Sequence, residues 1–119
     1  MSMFELMVEE SFDAAHALRG YEGPCENLHG HTWKVQAFIQ GKKLNKIGLL
    51  EDFKIIRKEL RSVLKEFDHR LLNDVEPFAR INPTSENLAE IIFKKLKKKR
   101  KNIVKVTVWE STTTHASFY

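Results

Sequence analysis

The spacing of apolar residues changes its period twice along this chain. Residues 3–12 and 33–40 alternate apolar side chains with mostly polar ones, which is the two-residue period of a half-buried β-strand. Over residues 50–67, and again after the Asn82-Pro83-Thr84-Ser85 segment, apolar side chains recur every three or four residues, as in an amphipathic helix. Residues 104–109 return to the shorter period, and residues 114–119 can form one more short strand. The predicted order is therefore β-β-α-α-β-β.

Four strands and two helices in this order predict an α+β fold, with a four-stranded antiparallel sheet and both helices on one face. We expect residues 1–119 to form a single domain, because a chain of this length without repeats or linkers builds one core. No apolar run approaches the roughly 18 residues of a membrane span. The first residues lack the features of a secretory leader, so we expect a cytoplasmic protein.

The net charge of +4 comes from one short segment, residues 94–101, which holds seven cations. Without these seven cations the net charge becomes −3. We interpret the segment as the solvated last turn of the second helix, where cations oppose the negative end of the helix dipole. A nucleic-acid interface usually also interleaves aromatic residues with the charge, and this segment does not. Nucleic acid is thus a disfavoured partner, and an RNA-binding or metal-binding module remains the non-enzymatic alternative.

Three of the five histidines lie early in the chain. His29 and His31 are two residues apart, so on an extended strand both imidazoles point to the same face and can bind one ion. His16 would complete a set of three ligands with an open fourth position, as in catalytic zinc sites. We expect Gly30 to permit a tight approach of the backbone there. The alternative is that these are ordinary core or surface histidines, and we expect His115 to be a surface residue.

Other candidates carry nucleophilic or acid–base chemistry. Cys25 is either a small buried apolar residue or, beside a cation, a reactive thiolate. Asp68 and His69 are either polar residues at a helix end or a pair in which the carboxylate orients an imidazole for proton transfer. Glu110 shares the face of three alternating valines, where a carboxylate needs an arginine or a ligand with two adjacent N–H donors. The alternative for Glu110 is a frayed strand end.

Several motifs occur in one order over nearly the whole chain: Phe12–His16, Cys25–His31, Asp52-Phe53, Asp68-His69, Pro83–Asn87 and Glu110. Together they resemble the 6-pyruvoyl-tetrahydropterin synthase family, and most closely its 6-carboxy-tetrahydropterin synthase branch. The resemblance implies a tunnelling fold, in which three subunits close a barrel and two trimers stack as a homohexamer.

The resemblance also implies an activity and a cofactor. The substrate would be 7,8-dihydroneopterin triphosphate, and the products 6-carboxy-5,6,7,8-tetrahydropterin, acetaldehyde and triphosphate, on the route to queuosine and related deazapurines. The implied roles are zinc ligands for His16, His29 and His31, catalysis for Cys25, Asp68 and His69, pterin anchoring for Glu110, and the pocket edge for Thr84 and Ser85. Thr84 and Ser85 are equally well explained as helix caps.

One position departs from a single branch of the family. Cys25 before His-Gly-His resembles the queuosine branch, whereas Glu26 creates a Glu-x-x-His-Gly-His motif that resembles members cleaving dihydroneopterin-type side chains for folate synthesis. Both motifs are present, so folate-branch cleavage and a 6-pyruvoyl product remain alternatives to the 6-carboxy product.

Overall fold

The computed structural model describes residues 2–23 and 27–119, which form five strands and two helices. The strands are β1 (Phe4–His16), β2 (His29–Gly41), β3 (Arg70–Leu71), β4 (Ile103–Trp109) and β5 (His115–Phe118). The helices are α1 (Phe53–Leu64) and α2 (Ser85–Lys99), and a 3₁₀ turn spans Leu72–Asp74. The predicted α+β architecture is therefore present, with one strand more than the sequence predicts.

The sheet has the strand order β3-β1-β2-β4-β5. Four strands pair antiparallel, as predicted, but β3 pairs parallel with β1 through Ala14↔Arg70 and Ala15↔Leu71. The prediction of a four-stranded, purely antiparallel sheet is wrong in this respect. A two-residue strand is too short to show a hydrophobic period, and the amide of His69, which donates to the Asp13 carbonyl at 2.6 Å, leads it onto the edge of β1.

β1 and β2 form the longest ladder, which runs from Phe4↔Gly41 to His16↔His29. β1 extends past the predicted residue 12 because the buried alternation of Val8 and Phe12 continues through Ala14 to His16. The ladder therefore carries the histidines of both strands to the same end of the sheet.

Both helices pack on one face of the sheet, as predicted. The Asp52 side chain caps α1 by accepting from the Lys54 amide at 2.8 Å, and Thr84 caps α2 by accepting from the Asn87 amide at 3.1 Å. The buried helix residues repeat at helical spacing: Ile56, Leu60, Val63 and Leu64 in α1, and Leu88, Ala89, Ile92 and Leu96 in α2. Within the described ranges, no helix is both long and apolar enough to cross a membrane.

The basic segment 94–101 forms the end of α2 and the turn after it, as predicted. Several of its cations bind acceptors within the chain: Lys94 with Glu90, Lys95 with Glu66, Arg100 with Glu51 and Glu59, and Lys97 with the carbonyls of Lys101 and Ile103. Three of the seven cations thus form ion pairs within the chain, and a fourth binds backbone carbonyls.

Candidate active site

Three imidazoles meet where β1 ends and β2 begins. The ladder pairs His16 with His29 and Ala14 with His31, so the three side chains share the face that carries the core. Their ring centroids are 4.6, 5.2 and 4.7 Å apart for His16–His29, His16–His31 and His29–His31. One ring nitrogen from each lies within 4.8 Å of the others. The structure therefore places the predicted ligands close enough to hold one ion.

Backbone carbonyls fix the tautomers of two of these rings. His16 Nδ1 donates to the Pro83 carbonyl at 2.7 Å, and His29 Nδ1 donates to the Asn27 carbonyl at 2.7 Å. A carbonyl only accepts, so in the neutral rings both Nε2 atoms carry lone pairs, yet these atoms are 3.0 Å apart. His31 Nε2 is buried and has no hydrogen-bond partner among the described residues. A cation held by one nitrogen of each ring would take up the facing lone pairs of His16 and His29 and give His31 a partner, so the donor set fits Zn²⁺.

The surroundings favour the neutral, ligating form of the imidazoles. His16 is fully buried, and burial lowers its pKa below the ordinary value, with a further lowering from His29 and His31. Burial likewise lowers the pKa of His31. The buried Trp33 ring packs against both, with centroids 4.9 Å from His16 and 5.2 Å from His31. This apolar wall disfavours imidazolium and leaves nitrogen lone pairs available to a metal.

Glu110 follows β4 directly and lies beside the histidines. Its Oε2 is 3.8 Å from His16 Nε2, and its Oε1 is 3.8 Å from His31 Nε2, with 28% of its side chain exposed. The sequence predicts a buried carboxylate that meets an arginine or a ligand. The structure shows instead a half-buried carboxylate with imidazole neighbours, because β4 ends at Trp109 and the core face is occupied there by the histidine cluster.

A cavity of about 420 Å³ opens next to Glu110. Its lining comes from the segment after β1, the start of α2, the β4–β5 connection and the start of β5: Leu18, Thr84, Ser85, Glu86, Glu110, Thr114, His115 and Ala116. Thr84 therefore both caps α2 and lines the cavity, so its two predicted roles are compatible. His115 is exposed, as expected. It also lines this cavity, and the sequence did not predict that position. The signal that could have placed it there is the predicted pairing of the last two strands, in which His115 lies opposite Trp109, the residue before Glu110.

The Asp68–His69 pair forms a second cluster along the edge of β1. His69 Nδ1 is 3.0 Å from Asp68 Oδ1, which also accepts from the Asp13 amide at 3.0 Å. That backbone hydrogen bond is the main cause, and His69 a further cause, of the lowered pKa of Asp68. His69 has φ of +59°, an uncommon conformation that turns the chain from α1 onto the sheet edge. The Asp68 carboxylate thus orients the exposed His69 imidazole, as proton transfer by such a pair requires.

Within one chain, this pair is separate from the histidine cluster. Asp13, to which it is bound, precedes His16 by three residues, or roughly 10 Å of strand. No hydrogen bond or ion pair joins the two clusters in the described part of the chain. Cys25 and Glu26 lie outside the described residues, so their predicted roles remain predictions.

The expectation for Gly30 is wrong. This glycine is exposed, its φ is not positive, and an added Cβ would meet no atom within 4 Å. The approach of the two β2 histidines depends on the strand period and not on a missing side chain.

Comparison with known proteins decides the family. The sequence model of the protein family described as 6-pyruvoyl tetrahydropterin synthase matches residues 5–119 of this chain. The chain belongs to this family. The resemblance predicted from the ordered motifs is confirmed, and the match extends over both helices and all five strands.

Individual relatives of this family differ in their named activities. The chain is 31% identical to a 6-carboxy-5,6,7,8-tetrahydropterin synthase of Haemophilus influenzae over 140 aligned positions, covering 98% of this chain and 99% of that protein. It is 37% identical to a dihydroneopterin monophosphate aldolase of Pyrococcus furiosus over 108, covering 88% of each. The structure of Caenorhabditis elegans 6-pyruvoyl tetrahydropterin synthase superposes with a TM-score of 0.90 at 30% identity, covering 99% of this chain and 96% of that one.

Proposed function

We propose that the protein is a zinc-dependent lyase that converts 7,8-dihydroneopterin triphosphate to 6-carboxy-5,6,7,8-tetrahydropterin, acetaldehyde and triphosphate. The observation that carries the proposal is the convergence of one ring nitrogen from each of three histidines, two of which have their tautomer fixed by a backbone carbonyl, beside a carboxylate that lines a cavity. The near full-length relative that bears this name supports the choice of reaction.

The proposal assigns distinct tasks to two groups at this site. His16, His29 and His31 would hold Zn²⁺, which when bound supplies Lewis acidity toward the hydroxyls of the substrate side chain. Glu110 accepts hydrogen bonds from the 2-amino group and ring N–H of the pterin, for which its partly exposed carboxylate at the cavity wall is suited. The cavity then orients the pterin side chain toward the histidines.

Proton transfer falls to the remaining predicted residues. We assign it to the Cys25 thiolate and to His69, oriented by Asp68. Because Asp68 and His69 lie away from the histidine cluster of their own chain, we further propose that in a homohexamer, a dimer of trimers, the pair serves the site of a neighbouring subunit. A cytoplasmic location, where such a substrate is made and used, belongs to the same proposal.

Mixing two inactive variants tests the sharing of a site between subunits. Cys25→Ala and His69→Ala protein, unfolded and refolded together, should regain about one quarter of the wild-type activity, because random assembly pairs an intact Cys25 with an intact His69 in about one site of four. Each variant refolded alone is the control. Activity that stays at the level of the separate variants would show that one chain supplies both residues.

Side-chain cleavage of dihydroneopterin monophosphate is the second candidate activity. It is favoured by the relative of that name and by the Glu26-x-x-His-Gly-His motif. An RNA-binding module is disfavoured because three of the seven cations in the 94–101 segment form ion pairs within the chain and no aromatic residue interrupts the segment.

The deciding experiment gives the purified protein both substrates separately and identifies products by mass spectrometry. We expect 6-carboxytetrahydropterin and acetaldehyde from the triphosphate, loss of both products after chelation, and recovery with Zn²⁺. A 6-hydroxymethyl pterin, formed from the monophosphate, would support the second activity instead. Salt-sensitive RNA retention without turnover would refute both enzymatic proposals.

A further inference from the structure

The three residues after His16 are held by two asparagine side chains. The amide of Asn73 accepts from the Ala17 N–H and donates to the Ala17 carbonyl, both at 2.9 Å. The amide of Asn82 accepts from the Arg19 N–H at 2.9 Å and donates to the Arg19 carbonyl at 2.8 Å. Each side chain thus binds both backbone groups of one residue, as a neighbouring strand would, and fixes the chain where it leaves β1.

Asn82 has one connection that Asn73 lacks. The next residue, Pro83, presents its carbonyl to His16 Nδ1 at 2.7 Å in a buried contact. The side chain of Asn82 and the carbonyl of Pro83 therefore bind the two ends of the same short segment, Arg19 and His16. The contacts form a closed loop, in which the position of the Pro83 carbonyl depends on the hydrogen bonds between Asn82 and Arg19.

The other side of this loop is fixed to α2 and to the loop before it. The Asn82 carbonyl accepts from Asn87 Nδ2 at 2.8 Å, and the Arg19 guanidinium donates to the carbonyls of Phe78 and Ile81. Proline has a restricted φ and no N–H, so Pro83 has little freedom once Asn82 is held.

We propose that Asn82 is a positioning residue of the three-histidine centre, which holds the Pro83 carbonyl against His16 and thereby keeps this ring in its Nδ1–H tautomer. In that tautomer Nε2 presents a lone pair toward His29 and His31. Without the carbonyl, the proton is free to move to Nε2, which removes one of the three ligand atoms. The affinity part of this inference rests on the proposed metal centre, whereas the tautomer part does not.

Two alanine variants form a matched test. Asn82→Ala and Asn73→Ala each remove one two-way amide contact, but only the first adjoins a carbonyl that binds a histidine ring. Nitrogen-15 spectra of the metal-free protein report the tautomer of each histidine. We expect His16 to be Nδ1–H in the wild type and in Asn73→Ala, and a mixture of tautomers in Asn82→Ala.

Zinc affinity, measured by competition with a chromogenic chelator, gives the second reading. We expect Asn82→Ala to bind Zn²⁺ about 10- to 100-fold more weakly, the usual effect of losing an outer-shell partner, and Asn73→Ala to change affinity by less than about threefold. Both variants should lower the melting temperature of the metal-free protein to a similar extent, which shows that the affinity difference does not arise from stability alone.

The inference is overturned if folded Asn82→Ala keeps the His16 tautomer, or if Asn73→Ala weakens zinc binding as much. Should Asn82→Ala not fold, Asn82→Asp retains the acceptor for the Arg19 N–H but replaces the donor by a carboxylate oxygen that repels the Arg19 carbonyl, and its tautomer ratio must then shift toward Nε2–H. A shifted tautomer in a protein that binds no zinc would support the positioning role while refuting the proposed metal-dependent function.

Discussion

Arg100 joins the end of α2 to α1 and to the turn before α1, and replacing it should cost measurable stability. Its Nε donates to Glu59 at 2.7 Å and its Nη1 donates to Glu51 at 2.8 Å. Only 13% of the Arg100 side chain is exposed, against 27% for Glu51 and 22% for Glu59. Arg100→Gln removes the charge and leaves two partly buried carboxylates close to each other.

The expected loss follows from these contacts. A hydrogen bond to a charged group contributes about 1.5–3 kcal/mol, and we take less than the lower value for each because all three side chains are partly solvated. Two such bonds give a decrease of about 2 kcal/mol in the free energy of unfolding. For 119 residues, with an unfolding entropy of about 2.1 cal/mol/K per residue, this lowers the melting temperature by about 8 °C.

Urea and thermal denaturation, followed by circular dichroism, measure this effect. Arg80→Gln is the matched control, because the Arg80–Glu76 pair at 3.1 Å is 75% and 67% exposed and should contribute less than about 0.5 kcal/mol. Equal losses in the two variants, or a loss below about 0.5 kcal/mol for Arg100→Gln, would refute the assignment of stability to the partly buried pairs.

The contribution of the Arg100–Glu51 pair to the free energy of unfolding should depend on pH. The hydrogen bond from Arg100 is the main cause of a lowered pKa of Glu51 in the folded state, relative to an ordinary value of 4.5. The unfolded chain therefore takes up this proton at a higher pH than the folded chain. The contribution is fully present above pH 4.5 and is lost as the pH falls through the folded-state pKa, so the stability gap between wild type and Arg100→Gln should narrow on acidification.

Three further outcomes test the site. Cys25→Ala should abolish acetaldehyde release while zinc, measured by metal analysis, stays bound; full turnover would exclude the thiolate role. Glu110→Ala should raise the dissociation constant for a pterin ligand about 100-fold, since two charge-assisted hydrogen bonds are lost, and an unchanged constant in titration calorimetry would count against the anchor. Gly30→Ala should bind zinc as the wild type does and lose less than about 0.5 kcal/mol of stability, because its Cβ meets open space; a large loss in either measurement would contradict that geometry.

The sequence predicts those parts of the molecule that depend on periodic burial. The long strands, both helices and the shared face of His29 and His31 follow from the two periods. Glu110 reaches the histidines for the same reason, as it continues the buried parity of β4. β3 does not follow, because two residues have no period and pair only after the Asp68–His69 turn meets β1.

The asparagines that surround the site are also invisible at the level of sequence. Asn73 lies in the 3₁₀ turn and Asn82 in a loop, where asparagine is an ordinary residue, and nothing in the local pattern indicates that each amide binds a backbone segment 56 or 63 positions away. The distance between the Asp68–His69 pair and the histidine cluster likewise depends on contacts between residues far apart in sequence, so it could not be predicted without the three-dimensional fold.

The register of the β1–β2 ladder has a consequence for how this chain can change over evolution. His16 faces His29 because both strands are 13 residues long and alternate without interruption at that end. Side-chain substitutions on the exposed face leave this alignment intact, whereas a single inserted or deleted residue between His31 and Trp33 would turn both β2 histidines to the opposite face. Whether the three histidines share a face therefore depends on the number of residues in each strand end. We expect homologous sequences with this centre to vary in composition along these strand ends but not in length.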